Sequence, residues 1–68
     1  MPEYMVVLRS DFLDQIIPAA HFFYNRETKD QFLLDCKEFY DDLTDLQVYI
    51  LGDDGLYRLL AREVRSHA

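Results

Sequence analysis

The clearest periodic signal in the chain lies in its middle. Phe32, Cys36, Phe39 and Leu43 recur at i, i+4, i+7 and i+11, and Leu33 and Tyr40 widen the apolar stripe. Asp30, Asp35, Lys37, Glu38, Asp41 and Asp42 take the other side. This is the period of an amphipathic helix, and it predicts one over 28–43. Thr28 and Gln31 match a capping box, in which each side chain satisfies an amide of the first turn.

The flanking segments have the residue types of strands. Tyr4 to Arg9 is β-branched and apolar and reads as a strand. The aromatic segment Ala20 to Asn25 reads as a second, and pairing the two makes a hairpin with a long connection. In that connection Phe12, Leu13, Ile16 and Ile17 follow at helical spacing behind Ser10, a good N-cap residue, until Pro18 ends the pattern. Residues 11–17 are therefore a short helix or a structured loop. Leu46, Val48 and Ile50 alternate with polar neighbours, which predicts a strand over 46–51, and Gly52-Asp53-Asp54-Gly55 is a turn.

The last segment supports two readings. Its Leu, Ala, Arg and Glu content favours a second helix over 55–66, whereas a short Gly-containing turn after a strand favours a hairpin. The hairpin is preferred. The expected fold is thus a single α+β domain over 1–68, with an antiparallel sheet of three or four strands. One long amphipathic helix covers one face, and the other face is left to solvent or to a partner.

Composition sharpens this picture. A chain of 68 residues makes one domain, and a domain of that size buries only about 60% of its unfolded surface. Five Phe and five Tyr supply large burial per residue, with some to spare for an interface. The single cysteine, Cys36, precludes an internal disulfide, which points to a reducing, cytoplasmic setting in a bacterial or host cell. The opening residues lack the basic stretch of a secretory signal, and no run approaches the roughly 20 apolar residues of a membrane helix.

The net charge of −6 repels nucleic acid and anionic lipid, whose recognition depends on neutralising phosphates. The charge is uneven. Residues 1–55 hold twelve acids and four bases, whereas residues 56–68 hold three Arg and one Glu.

Candidate chemistry is sparse. Cys36 lies within the helix stripe, which is the position of a small core residue. His21 sits among aromatics on a strand and reads as structural. His67 lies in the terminal tail, and two His and one Cys so far apart do not make a zinc spacing. The segment from Gly52 to Glu63 lacks the ligand order of a calcium loop, and no phosphate-binding glycine loop or nucleophile elbow is present. No catalytic residue, metal or cofactor is expected.

Two surfaces remain. One is acidic: Asp35, Glu38, Asp41, Asp42 and Asp45, with Asp53 and Asp54 on the same rim, form a row suited to a basic groove. The bland alternative is a solvated helix face. The other surface is aromatic and comprises Phe22, Tyr24, Tyr49 and Tyr57. The expected function is that of a small non-enzymatic regulator or inhibitor that occludes a basic surface of a protein partner. A nucleic-acid-processing enzyme would be such a partner, in the style of phage or mobile-element anti-defence proteins. The alternative is a self-associating structural module, with a homodimer as its simplest form, or an accessory subunit of a larger complex.

Overall fold

The computed structural model describes residues 1–10, 20–39 and 43–64. The element order is β1 (Tyr4–Ser10), β2 (Ala20–Phe23), α1 (Arg26–Phe39), β3 (Leu43–Leu51) and β4 (Tyr57–Val64). The four strands form one antiparallel sheet in the order β2-β1-β3-β4, with α1 packed on one face. The α+β architecture is the one expected. The expected 11–17 helix or loop lies outside the described residues.

Register explains the two faces. Tyr4, Val6 and Leu8 of β1 stand opposite Ile50, Val48 and Leu46 of β3, and Val6 also stands opposite His21 of β2. Because side chains alternate along a strand, these residues share the helix side. There Val6, Cys36, Leu46 and Val48 form the buried core, with Leu8, Phe23, Phe32 and Leu33 packed around it. Phe32 links the layers, its ring 4.9 Å from Phe23 and 4.8 Å from His21. Lys29 completes this side with its Nζ 4.7 Å from the Tyr4 ring centroid and 2.8 Å from Asp30. Its stem is buried against the aromatic face while its charge is held by the carboxylate.

The helix differs from expectation at both ends. It starts at Arg26, and its cap is Asn25, whose Oδ1 accepts from the Thr28 amide at 2.9 Å. Thr28 is thus the third helical residue, and its hydroxyl donates back to the same Asn25 Oδ1 at 2.8 Å. The Thr28–Gln31 capping box does not form, and Gln31 instead donates to Asp35 at 3.0 Å. At the other end Leu43 belongs to β3, not to the helix, where it faces Ser10. The i+11 match at Leu43 was a coincidence of period, overridden by strand pairing.

The C-terminal ambiguity resolves as the hairpin. Gly55 N–H donates to Gly52 C=O at 3.1 Å and Gly55 adopts φ +81°, closing a tight turn whose left-handed position glycine takes without strain. Gly52 N–H then donates to Leu56 C=O at 2.8 Å and starts the β3–β4 ladder. Helix propensity over 57–64 is real, but pairing with β3 satisfies the backbone and decides the outcome.

Candidate functional site

The sheet face away from α1 has no covering layer among the described residues. From the register it carries Ala20 and Phe22 of β2, Met5, Val7 and Arg9 of β1, Asp45, Gln47 and Tyr49 of β3, and Tyr57, Leu59, Arg62 and Val64 of β4. A bulge in β4 between the Val48–Ala61 and Tyr49–Leu59 pairs leaves Leu60 as the extra residue. That extra residue puts both Leu59 and Arg62 on this face.

The face has two halves. One is apolar: the Phe22 and Tyr57 rings lie 6.1 Å apart at 60°, and the Tyr57 hydroxyl donates to Pro2 C=O at 2.6 Å. Phe22 stays 53% exposed and Leu59 55%. The other half is polar. Arg62 grips Asp45 in a two-pronged pair, Nε to Oδ1 at 3.1 Å and a terminal nitrogen to Oδ2 at 2.9 Å. Gln47 donates to Asp45 Oδ2 at 3.0 Å and accepts from the Tyr49 hydroxyl.

This network sets the local electrostatics. The hydrogen bond from Arg62 is the main influence holding the Asp45 carboxyl below its ordinary range, followed among the lowering effects by Gln47 and the charges of Arg62 and Arg9; desolvation opposes them. The same pair holds the Arg62 guanidinium above its ordinary value.

The acids expected to form one row are dispersed. Asp35 and Glu38 lie on α1. Asp45 is on the opposite side of the sheet, only 9% exposed and neutralised by Arg62, so it belongs to no helix-side row. Asp53 and Asp54 sit at the β3–β4 turn, where Asp54 pairs with Arg58. Asp41 and Asp42 lie outside the described residues. The aromatic group fares differently. Phe22, Tyr49 and Tyr57 share the uncovered face, while Tyr24 is an exposed residue of the β2–α1 connection. Sequence reasoning missed Arg62, Gln47 and Leu59 as members of this face. The Arg62 contact depends on register, and the bulge that sets it has no glycine to mark it.

The nucleophile candidate is shielded from solvent. Cys36 is fully buried, and burial, reinforced by the Asp35 charge, pushes its thiol up. His21 stacks on Phe32, and its buried Nε2 has no hydrogen-bond partner among the described residues. Among those residues no three His, Cys, Asp or Glu gather into a metal-binding group, and no helix is long and apolar enough to cross a membrane.

No protein-family model matches the chain, and comparisons with curated proteins and with solved structures likewise find no significant match.

Proposed function

We propose that this chain is a small non-enzymatic regulator that binds a protein partner through its uncovered sheet face. The observation that carries this is the Phe22–Tyr57 cluster, which with Leu59 leaves large apolar side chains open to water beside a structured polar network. Interfaces combine such an aromatic centre with a polar rim. The net charge of −6 favours a partner with a basic surface, which the chain would occlude as an inhibitor does. A nucleic-acid-processing enzyme has that chemistry.

A second reading keeps the acidic helix side as the docking surface. It is favoured by Glu27 and Glu38, which lie on α1 with no ion-pair partner among the described residues. Partner capture distinguishes the two. Phe22→Asp should abolish capture if the sheet face docks, and high salt should leave the native contact largely intact. Loss of capture in the Asp35→Lys, Glu38→Lys variant and at high salt, with Phe22→Asp binding normally, would transfer the site to the helix.

A further inference from the structure

We infer that two copies of this chain pair through the free edge of β4, antiparallel about a two-fold axis normal to the sheet, to make one continuous eight-stranded sheet. The surface is separate from the sheet face discussed above, and the inference stands without a partner there.

Among the described residues β4 has β3 on one side and no neighbour on the other. It also carries a run of exposed apolar side chains, with Leu60 52% and Val64 65% exposed. An edge strand of this kind is a template for another strand.

The phase of the ladder says which groups are offered. Gly52 N–H bonds to Leu56 C=O across the hairpin, whereas Leu51 N–H turns away from β4 to Glu3 C=O at 2.8 Å. Antiparallel pairs alternate between bonded and non-bonded. Pairing of Leu51 with Tyr57, Tyr49 with Leu59, Gln47 with Arg62 and Asp45 with Val64 is therefore of the non-bonded kind. Tyr57, Leu59, Arg62 and Val64 thus turn their own N–H and C=O groups to the open edge.

One self-pairing satisfies all of these. Tyr57 stands opposite Val64 of the second copy, Arg58 opposite Glu63, Leu59 opposite Arg62 and Leu60 opposite Ala61. Every edge-facing residue then meets another edge-facing residue. The bulge matters here. In a regular strand an odd offset would set one face against the other, but the extra residue at Leu60 restores the match. Tyr57, Leu59, Arg62 and Val64 remain on the uncovered side, and Arg58 and Glu63 on the helix side. Shifting the register by two residues sets the bulge of one copy against a regular stretch of the other.

Charge selects the same arrangement. Arg58 and Glu63 become directly opposed twice across the axis, in the non-bonded position where cross-strand side chains lie closest. Within the chain their partners are exposed, Asp54 for Arg58 and Lys37 at 3.8 Å for Glu63, and both can share or re-pair. Arg62 stays neutralised by Asp45. Because the axis is normal to the sheet, both uncovered faces lie on one side of the dimer and both helices on the other.

The test is sedimentation equilibrium of the full chain from micromolar to millimolar concentration, with circular dichroism confirming that each variant folds. The native chain should approach twice 8.1 kDa. R58E and E63R each bring like charges together and should weaken the dimer about tenfold or more. The double variant R58E/E63R should recover native association. Recovery cannot come from inside the chain, because the acid introduced at position 58 would face Asp54 and the base introduced at position 63 would face Lys37. A monomer at every concentration overturns the inference, as does a dimer indifferent to the single changes or not restored by the double one. Phe22→Asp should leave the dimer unchanged, so loss of partner capture and loss of pairing are read separately.

Discussion

Asp45 shows how a single residue is reassigned by what it touches. A carboxylate beside Arg62 and Gln47 holds its charge to lower pH than a free one, so its folded value lies below its unfolded value. That difference stabilises the fold above the ordinary carboxylate range, near pH 4, and the stabilisation is lost as pH falls through the lowered folded value. Asp45→Asn should cost about 1 kcal/mol at neutral pH, and urea unfolding at a series of pH values should show a shallower acid limb than in the native chain. Cys36 is the converse case, a reactive residue type held in an unreactive place. Its thiol should resist labelling in the folded protein and react at the unfolded rate once denaturant is added. Rapid labelling of the native state would contradict the buried position and reopen nucleophilic chemistry.

At the scale of elements, the β3–β4 turn is the most sharply determined feature. Its two glycines are needed for different reasons. Gly55 has open space around a would-be Cβ but a left-handed backbone at φ +81°. Gly52 has an ordinary backbone but would place a Cβ 2.9 Å from Asp54 Oδ1 and 3.2 Å from Leu56 C=O. Gly55→Ala should therefore cost about 1 to 2 kcal/mol through backbone strain alone. Chemical denaturation should report that loss with an unchanged denaturant slope, because the native packing is untouched. The turn also explains why β4 is a strand. A segment rich in Leu, Ala, Arg and Glu would propagate a helix in isolation, but the turn delivers Tyr57 to Leu51 in register, and each further residue gains a ladder contact on β3. The second strand was readable from the aromatic content of Ala20 to Asn25, and it forms over Ala20–Phe23.

For the molecule as a whole, the core formed by the described residues lies to one side of the sheet. Val6, Cys36, Leu46 and Val48 are buried under α1, which packs on β1 and β2, while β4 lies beyond the helix with Leu59, Leu60 and Val64 exposed. The described extents of 39 × 21 × 20 Å reflect this lopsided build. In a domain of 68 residues each fully buried side chain carries a large share of the stability. Val6→Ala, which removes two methyl groups from a fully buried site facing Val48, should cost about 2 kcal/mol. In a domain of this size that corresponds to a melting temperature lower by roughly 8 to 16 °C, which differential scanning calorimetry would measure. If β4 pairs with a second copy, the melting temperature of the native chain should also rise with protein concentration.

The sequence by itself determined the elements whose signals are local. Helical spacing of Phe32, Cys36 and Phe39 placed α1, β-branched apolar content placed β1, alternation placed β3, and paired glycines placed the turn, since each depends on side-chain type, side-chain period or backbone freedom within a few residues. It also specified the sign of the net charge. Only the tertiary structure decided which side Asp45 faces, because pairing register joins it to Arg62 across seventeen positions of sequence separation. It likewise decided that Asn25 rather than Thr28 caps the helix, that Leu43 belongs to a strand, and that the bulge at Leu60 sets the two sides of β4. These are questions of non-local pairing, where a one-residue shift reverses the face of every side chain and no local pattern marks the shift.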